Sequence, residues 1–128
     1  MEEITANVSW IAIIVGAVVS FLVGWLWYSE KLFGTKWAEG SKVELGNASE
    51  MPISAMVTQV LGLFVVAWVV AVLAEKQMLW TTFLMVIGYG LLQYSGNSFT
   101  QKTSYAKMVD TGYWVVAVVI MIIVQMFL

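Results

Sequence analysis

The sequence contains no cysteine, no histidine and no arginine, and only one proline. Without cysteine and histidine the usual zinc, haem and iron–sulfur ligand sets cannot be built, so no cofactor or metal is expected. Disulfides are excluded, and cysteine usage carries no message about redox compartment. Without arginine there is no bidentate clamp for phosphate or carboxylate. The net charge of −2, with six lysines spread along the chain, gives no basic footprint for nucleic acid. Charge itself is scarce. Charged residues make up 11% of the 128 and hydrophobic ones 61%, with a mean hydropathy of +0.87. A chain this short cannot hide so much apolar surface in its own core, because small domains leave a large fraction exposed. Lipid is the solvent that resolves the conflict.

The placement of the few charges sets the architecture. All of them fall in four zones: Glu2–Glu3, Glu30–Glu50, Glu75–Lys76 and Lys102–Asp110. Between the zones lie charge-free stretches, Ile4–Ser29, Met51–Ala74, Gln77–Gln101 and Thr111–Leu128, of 26, 24, 25 and 18 residues. About 20 predominantly apolar residues cross a bilayer as a helix. The expected fold is therefore all-α, an integral membrane bundle of four transmembrane helices in a single domain, residues 1–128. The helices are predicted at 8–28, 53–73, 80–98 and 104–127, with Ser104 as the N-cap of the last and Pro52 in the first turn of the second. The first stretch lacks a basic leader and a small-x-small cleavage site, which argues for a retained helix rather than a signal peptide.

Five of the six lysines lie in the first and third connections and only Lys76 lies in the second. Positive-inside counting places the first and third connections in the cytoplasm and both termini outside. Trp25, Trp27 and Trp37 at the end of the first helix, and Tyr113 and Trp114 near the start of the last, are expected as aromatic anchors at the membrane interface. Phe33 and Trp37, four apart, suggest that Glu30–Gly40 lies in the interface as a short amphipathic turn.

The stretch Trp27-Tyr28-Ser29-Glu30-Lys31-Leu32-Phe33-Gly34-Thr35-Lys36-Trp37 is distinctive, and Gly112-Tyr113-Trp114 forms a second element. Together they resemble a bacterial membrane family known as domain of unknown function 1761. That family shows Trp-Tyr-Ser-Pro, then Leu-Phe-Gly and a Trp three residues later; here Glu30 stands in place of the proline. The resemblance covers essentially the whole chain and implies four helices in the bacterial inner (plasma) membrane. It implies no activity.

Two features reach beyond bilayer residence. Gly16, Ser20 and Gly24, at spacing four, form a small-residue ridge for close helix packing, within the bundle or between subunits. Tyr89, Gln93 and Asn97 share one face of the third helix. With Tyr28, Gln59 and Asp110 they fall toward the cytoplasmic side, as a polar cavity or as interhelical hydrogen-bond glue. Asp110 is expected as a solvated interfacial ion pair with Lys107, three residues earlier on the same face. No serine or threonine has a credible base partner, so an enzyme is not expected. The reading that follows is a non-enzymatic membrane subunit that packs as a homo-oligomer or with another membrane protein. The alternative is a small homo-oligomeric channel or transporter using the polar site.

Overall fold

A computed structural model describes residues 1–43 and 52–128. Among these residues the protein is all-helical. Its elements are α1 (Glu2–Thr5), α2 (Trp10–Trp27), α3 (Gly34–Ser41), α4 (Ile53–Glu75), α5 (Leu79–Phe99) and α6 (Ser104–Phe127). The four long helices match the predicted positions to within two residues at each end. The caps shift slightly. Thr103, not Ser104, caps α6, its hydroxyl accepting from Ala106 N at 3.2 Å, and Pro52 takes the N-cap of α4. The segment after α2 forms a true helix, α3, in place of the predicted turn.

Three of the helices, α2, α4 and α6, are long and apolar enough to cross a membrane. Four were expected. At 21 residues α5 has the length, but it does not reach the apolarity of the other three. Its Gln93, Asn97, tyrosines and serines dilute the hydrocarbon that a lipid-facing helix needs. The chain nonetheless carries the surface of a membrane protein. Ile11, Leu84 and Leu92 are about 70% exposed, together with many other large apolar side chains, whereas soluble monomers rarely present continuous apolar surface on this scale.

Helix α6 is the hub, packing against α2, α3, α4 and α5, while α2 also lies along α4. The core is built from small side chains: Ala17, Ala67, Ala71 and Ala117 interleave with Ile13, Val70, Val118 and Met121. Lipid tails remove most of the hydrophobic drive for helices to associate, so close backbone approach and interhelical hydrogen bonds carry the packing. The Gly16/Ser20/Gly24 ridge supplies that approach. A Cβ on Gly16 would meet Met121, Ser20 Oγ donates to Ala117 O at 3.3 Å, and a Cβ on Gly24 would lie 2.7 Å from the Tyr113 hydroxyl. All three positions face α6, so the ridge is an intramolecular seam and is not free to join subunits.

The chain reverses sharply after α2 even with Glu30 in place of proline. Gly34 N donates to Ser29 O at 2.9 Å and Phe33 N to Trp27 O at 3.2 Å, folding the start of α3 onto the end of α2. A Cβ on Gly34 would collide with Tyr28 O, so only glycine fits there. Helices α4 and α5 end in Schellman turns. Gln77 and Gln101 take left-handed φ of 56° and 63°, with Met78 N bonding Leu73 O and Lys102 N bonding Asn97 O. The second turn aims Lys102 back over the bundle.

The seam generates a test. Gly24→Leu is expected to destabilise the protein by about 1–3 kcal/mol through overpacking. Gly62→Leu, at a position with nothing within 4 Å, is expected to be neutral or slightly stabilising. Thermal midpoints of both variants in one detergent check the contrast.

Candidate functional site

The side chains that converge most tightly surround Asp110. It sits two turns into α6 and is 6% exposed. Its Oδ1 accepts from Tyr28 Oη at 2.6 Å and from Trp37 Nε1 at 2.8 Å; its Oδ2 accepts from Asn97 Nδ2 at 2.9 Å and Lys102 Nζ at 2.8 Å. The donors come from the end of α2, from α3, from the last turns of α5 and from the α5–α6 connection. Each is placed by a local device: Tyr28 by the C-cap of α2, Trp37 by the Gly34 reversal, and Lys102 by the Schellman turn at Gln101. A second anchor holds α3 down. Thr103 N donates to Gly40 O at 3.1 Å, across a gap that a side chain at residue 40 would close.

The carboxylate is thus buried and compensated. Removal from water is expensive for any charge unless it is paired and its remaining lone pairs are met. Here the Lys102 ammonium supplies the opposite charge, and three neutral donors take the other directions. Aromatic rings close the site: Tyr28 packs edge-on against Trp37 with centroids 4.8 Å apart, and against Tyr113 at 5.7 Å. The Lys102 ammonium lies 5.5 Å from the centre of the Trp37 ring.

This placement corrects the expectation for Asp110. It is a buried node, and its partner is Lys102 rather than Lys107. Lys107 instead reaches α5, where Nζ donates to Ser98 Oγ at 3.2 Å and lies 4.8 Å above the Tyr94 ring. Spacing along α6 put Lys107 and Asp110 on one face. It did not show that the end of α5 and the α2–α3 corner cover that face from two sides.

Of the six residues predicted to line a polar cavity, Tyr28, Asn97 and Asp110 meet directly. Gln93 sits one turn deeper on α5 with its Oε1 buried and unpaired, as is the hydroxyl of Thr111 on the facing helix. Tyr89 is half-exposed and stacks edge-on with Trp114 at 4.6 Å. Gln59 is exposed on α4 and joins neither Asp110 nor Asn97 by a hydrogen bond. Two surface depressions lie elsewhere. One runs along Trp80, Phe83, Leu84 and Ile87, and another is bordered by Thr82, Ile122 and Gln125. The polar residues therefore tie to one another more than they line an open chamber.

The predicted anchors also divide. Trp25 is exposed, as an anchor should be. The other four are interhelical donors. Trp27 Nε1 bonds Val109 O at 3.0 Å, Trp114 Nε1 bonds Val86 O at 3.0 Å, Tyr113 Oη bonds Ser20 O at 2.7 Å, and Trp37 joins Asp110. Their position near the helix ends suggested interface depth, but the sequence did not reveal which way each ring turned. Two members of the site escaped the sequence reading altogether, Lys102 and Trp37 as a ligand of Asp110. The signal available was the short connection Thr100–Thr103, which leaves a lysine little distance to travel.

Among the described residues no cluster of three His, Cys, Asp or Glu side chains exists to hold a metal.

The family described as "Protein of unknown function (DUF1761)" matches residues 11–126, and the chain belongs to it. The match includes every residue of the Asp110 site. No curated protein and no solved structure matches the chain.

Removing one partner of a buried pair leaves the other uncompensated. Asp110→Ala is therefore expected to cost about 3–5 kcal/mol, while Lys107→Met, which breaks only an exposed contact, is expected to cost under about 1 kcal/mol. Unfolding midpoints in a mild detergent check the ranking. Thr111→Val removes a buried hydroxyl that has no partner and is expected to be neutral or to stabilise by about 1 kcal/mol in the same measurement.

Proposed function

We propose that this chain is a non-enzymatic integral membrane subunit, which works by assembling with itself or with another membrane protein. The observation that carries the reading is the saturation of Asp110. The acidic side chain buried on α6 spends its whole capacity on internal donors, and so serves to fix helices rather than to transform a substrate.

In this reading α5 is a fourth span. Its 21 residues reach about 32 Å at helical rise, close to the thickness of the hydrocarbon layer. It runs antiparallel along α6 over three turns, from the Trp114–Val86 bond to the Lys107–Ser98 bond. Where α6 crosses, α5 crosses beside it. The lysine distribution supports a cytoplasmic location for the Asp110 end and an outer location for both termini.

One observation favours the second reading, a small homo-oligomeric channel or transporter. Gln93 Oε1 and Thr111 Oγ1 are buried without partners just inside the Asp110 node. Polar atoms left in that state at membrane depth are commonly met by water.

Light scattering of the full chain in a gentle detergent and in native lipid particles separates the readings when paired with solute flux in liposomes. The subunit reading expects an assembly larger than one copy, or a co-purifying membrane partner, and flux no greater than in protein-free liposomes. A strict monomer without a partner in both media overturns it. So does a flux that Gln93→Leu and Asn97→Leu abolish, which is the result expected of a transporter.

A further inference from the structure

Lys102 differs from the other three donors to Asp110. Tyr28, Trp37 and Asn97 stand on or at the ends of helices. Lys102 sits on the four-residue link between α5 and α6, next to a glutamine held in a left-handed conformation. Its side chain is 22% exposed against 9% for that of Asp110. An ammonium carries three N–H donors, and among the described residues one of them is used, on Asp110 Oδ2.

What surrounds that ammonium is a receptor for a cation. A carboxylate lies at 2.8 Å on one side, and the face of Trp37 at 5.5 Å on another. Trp37 is itself held by its own bond to the same carboxylate and by Tyr28 edge-on. A carboxylate beside an aromatic face is the chemistry by which proteins recognise organic ammonium groups. The helices build this site, and the chain's own lysine fills it from a short tether.

We propose that the Asp110–Trp37–Tyr28–Asn97 site is a binding site for a primary alkylammonium group, occupied in this structure by Lys102 and able to exchange it for an external one. The external group is the headgroup amine of an aminophospholipid or a free alkylamine; the recognition is the same. Lys102 is then an internal competitor. Its release unties Lys102 from the site, while Thr103 N stays on Gly40 O and the external ammonium keeps α2, α3, α5 and α6 joined through Asp110. The proposal rests on the geometry of the site and holds for a subunit and for a transporter alike.

The test uses the full chain in lipid nanodiscs, as wild type and as Lys102→Met. One arm titrates propylammonium chloride into discs of phosphatidylglycerol, with sodium chloride at equal ionic strength as the control. The other arm adds no amine and replaces part of the lipid with phosphatidylethanolamine. The readout is the thermal midpoint. Lys102→Met is expected to melt below wild type and to be restored saturably by propylammonium, with apparent affinity at least tenfold tighter than wild type, where Lys102 competes. Asp110→Asn in the same background is expected to abolish the restoration. Restoration by phosphatidylethanolamine discs assigns the headgroup as the source, and restoration by propylammonium alone assigns the free amine. Should Lys102→Met not fold, Lys102→Gln keeps an N–H for Asp110 Oδ2 and carries the same titration. A midpoint that neither source raises saturably, or a restoration that survives Asp110→Asn, overturns the proposal.

Discussion

A carboxylate accepts about four hydrogen bonds, and Asp110 draws all four from its own chain. The consequence is architectural. The donors belong to the end of α2, to α3, to the end of α5 and to the connection leading into α6, so one buried charge fixes the mutual position of four segments at one end of the bundle. Burial raises the cost of leaving any donor or acceptor unpaired, and that cost makes the arrangement specific. Away from this end the helices meet through smaller contacts, and the bundle is correspondingly apolar.

The rest of the packing follows from the same medium. Where lipid competes equally for apolar side chains, helices gain by approaching closely and by pairing polar groups. Gly16, Ser20 and Gly24 let α2 press against Tyr113, Ala117 and Met121 of α6. Trp27, Tyr113 and Trp114 then donate to main-chain carbonyls of α6, α2 and α5 in turn. Helical carbonyls have a spare lone pair, and these aromatic donors use it without breaking the helix. Because the same rings pack as apolar bodies, each contributes area and a directed bond together. The α2–α6 seam and the Asp110 node are adjacent, joined through the Tyr28–Tyr113 and Trp27–Tyr113 contacts.

Much of this was legible residue by residue. The gaps between charges located the four long helices, since a charge at mid-bilayer is costly whatever the fold. The polar character of α5 was visible in Tyr89, Gln93 and Asn97, and it is why α5 falls short of the apolarity of its three companions. The small-residue ridge on α2 was visible too, though spacing alone left open whether it faced α6 or another copy. The partner of Asp110 was not legible. Lys107, three residues away, satisfied the local rule for a helical pair, whereas Lys102 reaches Asp110 only because the chain turns through a left-handed Gln101. The fate of the aromatics was hidden for a similar reason, because depth along a helix can be counted from sequence while the direction a ring faces depends on its neighbours.

The sequence by itself determined the apolar character of the chain and the number and position of the long helices, because each follows from composition and the spacing of charges along one dimension. Tertiary structure alone decided that Asp110 is buried, that Lys102 and Trp37 complete its shell, and that the Gly16/Ser20/Gly24 ridge is spent inside the chain. Those outcomes depend on which faces of α2, α3, α5 and α6 converge. Convergence is set by packing between residues as much as 97 positions apart, over which no local spacing rule extends.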